Sequence, residues 1–479
     1  MNGFIIGGYL LAMILIGLFS SRKAKGSAGF FVADRKGGLL LVTGSLVATI
    51  LGGSSTIGMA GLGYSKGLPG AWWLLVGCAG LALGGLFLAE RVRKTRAYTL
   101  PEILGRRYGE GVRKAASVII LLSWLGIIAG QIIAAGKILS VLFPGSSVAW
   151  LMILAGGVMI FYTLLGGQYS ILKTDTIQAV LIIFGIVLTI VVGAKVSGGV
   201  GEIIYRLPGE FVDFPANRFM TWSGIGNLAL FVGTAYLVGP DIFSRFLSSR
   251  DGKVARKSAL ITSGILVFAA FGITWIGMMA RAMYPGISAE QAFPHMILHI
   301  LPGVLSPLVV AALLAAVMSS ADTCLLTAGV ILTSDILGGW VHKTWGQEDR
   351  RVLFISRLFV LAIGLVSLGI ALYVQGIIKA LLLGYTVFTS GLVLPALLAL
   401  FPGRFNVTTK WVVGAIVLGG TISLWGKLAH WSRAGIVGMG LCALLLGIGL
   451  LMGKVSGAEG QEIPSIGGGT PSSSQPLNR

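Results

Sequence analysis

Long apolar runs alternate along this chain with short clusters of charged and turn-forming residues. A helix that crosses a bilayer needs about 20 predominantly apolar residues. Thirteen segments meet that pattern: 3–20, 38–65, 71–89, 115–142, 147–166, 173–195, 221–246, 258–283, 304–337, 353–374, 376–401, 411–429 and 434–453. The first has no basic stretch ahead of it and is followed by Arg22, Lys23 and Lys25. It therefore reads as a retained helix rather than a cleaved leader. The expected class is an all-α integral membrane protein. No polar segment between spans is long enough for a nucleotide-binding, kinase or receptor domain. Residues 456–479 are rich in Gly, Ser and Pro without apolar periodicity and read as a disordered tail.

Composition supports this and removes one rival. Of 479 residues, 55% are hydrophobic and 11% charged, against roughly 25% charged in a soluble domain. The net charge of +19 would also suit a nucleic-acid binder. Its distribution excludes that. With the N-terminus outside, the segments facing the cytoplasm hold 27 of the 36 Lys and Arg residues, and the external loops and outer span ends hold nine. Cytoplasmic loops carry such an excess. The charge belongs to a membrane surface, the C-terminus is cytoplasmic, and the lipid bilayer of the cell membrane is the expected surroundings. No nucleic acid and no obligate protein partner are expected.

Polar side chains and irregular backbone are tolerated in hydrocarbon only where they face protein or a cavity. Span 38–65 is interrupted halfway by Gly52-Gly53-Ser54-Ser55-Thr56. Two glycines weaken the helix by ~1 kcal/mol each, and hydroxyls can satisfy the backbone groups that unwinding frees; a small-residue packing face is the alternative. Span 304–337 carries Ala316, Ser319, Ser320 and Thr323 on one helical face, with Asp322 a turn from Ser319. A carboxylate at that depth costs roughly 2.5–3.5 kcal/mol and needs a partner, either a neighbouring helix or an alkali cation bound by oxygen ligands. Weaker breaks occur at Gly239-Pro240-Asp241, at Gly384-Tyr385-Thr386 with Thr389-Ser390, and at Thr174-Asp175 with Gln178. Each of these is also compatible with a helix cap or a packing pair.

Order makes these breaks informative. Spans two to six (38–195) form one five-helix unit and spans seven to eleven (221–401) another, with 3–20 as an extra helix before them and 411–453 as two more after. An odd number of spans per unit inverts the second unit relative to the first, and each unit opens on an interrupted helix. That pattern points to a secondary transporter with a midplane binding site. A channel filter of the TVGYG kind is missing from the sequence. An intramembrane enzyme would need a nucleophile with its base, or a metal cluster. His295 and His299 share a face but have no intervening Glu, so no enzymatic activity is expected.

The same residues resemble the sodium:solute symporter family, whose members share the leucine-transporter-like inverted-repeat fold. Ser45-Leu46-Val47-Ala48 through Ile57-Gly58-Met59 is similar to the family's first core helix, and Tyr98 through Gly109 (YTLPEILGRRYG) to a cytoplasmic segment. Gly166-Gly167 with Thr174-Asp175-Thr176-Ile177-Gln178, Asp241 through Leu247 with Arg250-Asp251, and Ala315 through Thr323 complete five matches in order. Gln168, Lys173 and Ser244 depart from the usual residues. Ser54 and Ser55 stand where the sugar-carrying branch has Glu and Gln, so hexose transport is not implied.

The resemblance implies a Na⁺ site formed by the carbonyls of Ala48, Leu51 and Ala316 and the hydroxyls of Ser319 and Ser320. A second site, seen in some members, would use Asp175, Ser319, Asp322 and Thr323, holding Na⁺ or sharing a proton. Na⁺ is then the coupling ion for inward movement of a small organic solute by alternating access, with a proton as the alternative ion. The solute pocket is expected between the breaks, lined by Ser54, Ser55, Thr56, Gln131, Asn227, Tyr236, Tyr385 and Thr389. No Arg or Lys is expected at mid-depth in any span. Small hydroxyls and few amides suit an amino acid or a monocarboxylate, whose carboxylate a half-helix N-terminus can bind.

Overall fold

A computed structural model describes residues 27–165, 167–338, 349–374, 376–401 and 407–455, with positions 7, 8, 11, 12 and 15 ahead of them. The expected tail lies outside the described residues, as does nearly all of the expected first span. Ten described helices are long and apolar enough to cross a membrane, and one bent pair makes an eleventh. The difference from thirteen lies in two places. The helix Val148–Leu164 is apolar but shorter than a full span, and most of 3–20 lies outside the described residues.

The first set of helices is α1 (Leu39–Ile50), α2 (Met59–Lys66), α3 (Trp72–Phe87), α4 (Glu110–Leu142), α5 (Val148–Leu165) and α6 (Gln168–Val196). The second is α7 (Trp222–Leu228), α8 (Thr234–Val238), α9 (Pro240–Ser248), α10 (Gly252–Met283), α11 (Leu305–Ile331), α12 (Asp349–Val374) and α13 (Ile377–Leu400). Helices α14 (Thr409–Leu428) and α15 (Ala434–Val455) follow. Each set opens on an interrupted helix. The α1 segment and the segment Ser54–Lys66 meet at 59°, and Gly239 (ψ 134°) takes the chain out of helical geometry between α8 and α9.

Burial ranks the helices. The α11 span is 94% buried within the protein and α4 78%, whereas α15 is 28% buried and faces outward. Helix α11 packs against α1, α4 and α6, α6 runs along α1, and α13 runs along α4. Close approach requires glycine at one contact above all: a Cβ on Gly277 of α10 would overlap the Ala60 carbonyl of α2.

The end of the bundle where α1 begins and α9 finishes is tied shut. Gly37 N donates to Ser248 O at 2.9 Å and Arg250 N to Gly37 O at 2.9 Å. Arg93 Nε reaches Ser249 O at 2.6 Å and Arg113 Nε pairs with Asp335 Oδ1 at 2.7 Å. Thr99 also donates to Asp335 Oδ2 at 2.7 Å. Thr99 is positioned as a helix N-cap: it accepts from Glu102 N at 3.1 Å, and Glu102 Oε2 accepts from Tyr98 N, just ahead of the cap, at 2.7 Å.

Candidate functional site

The site grows from the end of α1. Leu51 (φ −77°, ψ 39°) leaves the helical region, and Gly52 and Gly53 follow. The released Gly53 N–H donates to Gln131 Oε1 of α4 at 2.8 Å, and Thr56 Oγ1 donates to Gly52 O at 2.8 Å. The first satisfies a backbone N–H that the broken helix releases, and the second adds to the Thr56 N–H that Gly52 O already accepts at 2.9 Å. Bare glycines are needed because α4 and α11 close directly on the break. A Cβ on Gly52 would overlap the Ser320 side chain, and one on Gly53 the Ala134 methyl.

From the other side comes the polar face of α11. Ser319 Oγ donates to Ala48 O at 2.8 Å and Ser320 Oγ to Thr49 O at 2.5 Å. Each has a second acceptor in Ala316 O, at 3.0 Å and 3.3 Å. Four of the five residues expected around a first cation, Ala48, Ala316, Ser319 and Ser320, are therefore in direct contact. Leu51, the fifth, is the fully buried residue at which α1 ends. Thr49 joins them through its carbonyl, an addition to the expected set. Oxygen-only surroundings of this kind suit a hard cation.

Asp175, Asp322 and Thr323 also converge with Ser319, all fully buried. Here the structure corrects the sequence reading. The expectation of no basic residue at mid-depth fails at Arg245, a residue near the end of the expected span 221–246. Arg245 is 0% exposed. Its Nη2 lies 3.1 Å from Asp175 Oδ2 and donates to Thr49 Oγ1 at 2.8 Å, as well as to Thr323 Oγ1. Its Nε donates to Ser45 Oγ at 3.0 Å, which in turn donates to Asp175 Oδ2 at 2.5 Å. Asp322 Oδ1 accepts from Thr323 N at 3.0 Å. Asp322 Oδ2 and Asp175 Oδ1 have no hydrogen-bond partner among the described residues.

The expected solute-lining residues divide. Ser54, Ser55 and Thr56 are buried just beyond the break. Helix α13 packs against this turn, and its Tyr385 ring lies 6.3 Å from that of Tyr236 on α8. Thr389 is buried and donates to Tyr385 O at 2.8 Å. Gln131 Oε1 accepts from Gly53 N at the break. Asn227 is exposed on α7. The chain stays helical through Ala229–Gly233, which puts Asn227 about 13 Å along the helix from Tyr236. His295 and His299 stack at 4.0 Å beside Tyr284, on a short helix outside the long spans.

Ser45, Thr49 and Arg245 are the site residues that sequence reasoning missed. A signal existed for the last. Arg245 is the one basic residue between Arg218 and Arg250 and lies among the apolar residues Ile242, Phe243, Phe246 and Leu247.

Two interrupted helices, one crossed at its break by a hydroxyl face of the most buried helix, define a membrane transporter of the inverted-repeat kind, not an enzyme. The family model "Sodium:solute symporter family" matches residues 30–417, and the chain belongs to that family. It is a multi-pass membrane protein coupling uptake of a small solute to Na⁺. It is similar to the high-affinity proline transporter PutP of Bacillus subtilis, with 26% identity over 432 residues covering 87% of this chain and 90% of that protein. The sodium/proline symporter of Haemophilus influenzae is 26% identical over 390 residues, covering 76% of each.

Among solved structures, a substrate-bound, outward-open Na⁺-coupled sialic acid symporter superposes with a TM-score of 0.80 at 20% identity, covering 95% of this chain and 98% of that one. Mhp1, a nucleobase-cation-symport-1 transporter in a closed conformation, gives 0.55 at 15% identity, covering 90% and 96%. At these identities the likeness establishes the fold.

Proposed function

We propose that the chain carries a compact amino acid, with proline the first to test, into the cell together with Na⁺ bound by Ala48, Leu51, Ala316, Ser319 and Ser320. The carrying observation is the pair of α11 hydroxyls set against the Ala48 and Thr49 carbonyls at the break. An ion there bridges two helices of opposite repeats, 38–195 and 221–401. A ligand shifts a two-state equilibrium only through differential affinity, and a site divided between moving elements supplies it. The membrane potential adds ~2.3 kcal/mol per charge per 100 mV to inward movement of the ion.

Proline is the solute of the transporters from Bacillus subtilis and Haemophilus influenzae to which the chain is similar. The hydroxyl-rich turn Ser54–Thr56 beside Tyr236 and Tyr385 is of a size and polarity suited to such a solute. The tied end of the bundle carries Arg35, Arg93, Arg113 and Arg250, and in this reading it faces the cytoplasm.

The test is uptake of radiolabelled proline into proteoliposomes. Accumulation under an inward Na⁺ gradient is expected, with loss when K⁺ replaces Na⁺ and loss in the double variant Ser319→Ala, Ser320→Ala. Equal uptake with and without Na⁺ would refute the coupling assignment. In a thermal-shift assay proline should stabilise the protein more when Na⁺ is present, as linked binding requires.

A further inference from the structure

We infer that Arg245 is a built-in cation occupying the second ion position, so that this transporter binds one Na⁺ rather than two. This deepens, and rests on, the Na⁺ reading of the neighbouring oxygens. A second alkali cation would have to draw on Asp175, Thr323, Ser319 and Asp322. The structure has already committed two of these four to the guanidinium, Asp175 Oδ2 at 3.1 Å and Thr323 Oγ1. Two further hydroxyls that line the same volume, Ser45 and Thr49, also accept from it, at 3.0 Å and 2.8 Å.

All three guanidinium nitrogens are engaged with oxygen, since Nη1 takes Ser244 Oγ at 2.9 Å. Hydroxyls and a carboxylate gathered in a fully buried space are the ligands a hard cation prefers. Here the guanidinium of an arginine supplies the cation. A tethered charge stays with the protein through the cycle and is not released to the cytoplasm.

Placement gives Arg245 reach across the coupling machinery. It projects from α9, past the second break, and joins α1 through Ser45 and Thr49, α6 through Asp175 and α11 through Thr323. Thr49 is shared with the first position, because its carbonyl accepts from Ser320 while its hydroxyl accepts from Arg245. The two positions are therefore one residue apart in bonding, and the charge at one is felt at the other.

The experiment is equilibrium binding of ²²Na⁺ to the purified full chain, with no solute added. The wild type is expected to bind one Na⁺ per chain with a Hill coefficient near 1, and to lose it in Ser319→Ala, Ser320→Ala. Arg245→Lys keeps a charge and should stay at one. Arg245→Gln frees the oxygens and should gain a second, weaker ion, with the isotherm broadening to a Hill coefficient below 1. A purely structural role would lower stability in both Arg245 variants and leave the count unchanged. Two ions in the wild type, or one ion in folded Arg245→Gln, overturns the inference while leaving the first site standing. No Na⁺ binding by the wild type overturns both. Should Arg245→Gln fail to fold, Arg245→Met, which removes the charge and keeps the bulk, takes its place and is read the same way.

Discussion

Replacing Gln131 by leucine keeps the volume of a buried side chain on α4 and removes the acceptor that holds Gly53. In the wild type the Gly53 N–H donates to Gln131 Oε1 at 2.8 Å, and Gln131 is 3% exposed. Leucine leaves that donor buried without a partner, which costs about 1–3 kcal/mol. The backbone of the break has then to re-form elsewhere, and the Ala48 and Leu51 carbonyls, two to five residues upstream, move with it. Taken as ~2 kcal/mol expressed at the ion site, with ~1.4 kcal/mol per tenfold, the loss is roughly 10- to 30-fold in Na⁺ affinity. The assay is ²²Na⁺ binding to purified protein, read beside the thermal midpoint to confirm folding. Gln131→Glu keeps a carbonyl-type acceptor in the same place and should recover most of the affinity. A folded Gln131→Leu with Na⁺ affinity within twofold of wild type would show that Gln131 does not hold the break.

Three further perturbations probe other levels. Gly52→Ala drives a methyl into Ser320, so it should lose about 1–3 kcal/mol of stability by overpacking and most Na⁺-induced stabilisation; a thermal-shift titration with NaCl reads both. Asp335→Ala strips a fully buried carboxylate from Arg113, which is 25% exposed. Removing one partner of a buried pair costs ~3 kcal/mol and somewhat less with this exposure. The tied end should open, and a reporter cysteine in Thr327→Cys, beside the small cavity at that end, should label several-fold faster; an unchanged rate counts against the tie. Asp251 caps α10 by accepting from Val254 N at 2.7 Å, and that N–H holds its carboxyl below the usual range. A lowered folded-state value means the stabilisation is present above the unfolded value of about 3.9 and lost as pH falls through the folded one. Asp251→Ala should therefore cost roughly 0.5–1 kcal/mol at neutral pH, and the gap to wild type should close on acidification; a gap that persists at low pH assigns the effect to packing.

Much of the fold was legible because a bilayer leaves few options. Apolar runs announce spans, and the Gly52-Gly53-Ser54-Ser55-Thr56 interruption announces a break, since irregular backbone inside hydrocarbon requires a cavity or a neighbour. The α11 face was legible for the same reason: Ala316, Ser319, Ser320 and Thr323 share a side through helical periodicity alone. What the sequence obscured lay at the two ends of span 221–246. Arg245 neighbours a cytoplasmic loop in sequence yet is fully buried against Ser45, Thr49, Asp175 and Thr323, and Asn227, polar and inside the span, is exposed on α7. Neither outcome follows from position along a span. Gln131 was recognised as a polar residue at depth, but its role required knowing that Gly53 lies 2.8 Å away. No local pattern encodes a partner 78 residues distant.

If Na⁺ binds where proposed, the two α11 hydroxyls explain how a small monovalent ion governs so large a bundle. Without an ion, Ser319 and Ser320 link α11 to α1 through two neutral hydrogen bonds, to Ala48 O and Thr49 O, each worth about 1 kcal/mol net. Both hydroxyls have an intrahelical alternative in Ala316 O, so their hydrogens can swing back to α11 at little cost and turn lone pairs toward a cation. Ion binding then exchanges two weak neutral links for charge–dipole contacts to the same carbonyls, and charge-assisted contacts are roughly twice as strong. The difference, on the order of 2 kcal/mol for the pair, corresponds to a shift of roughly 30-fold between states that keep or lose the α1–α11 contact. Coupling of that size requires the carbonyls to stay fixed while the hydroxyls rotate. Gln131 on Gly53 and Arg245 on the Thr49 hydroxyl supply that fixity from opposite sides of the break.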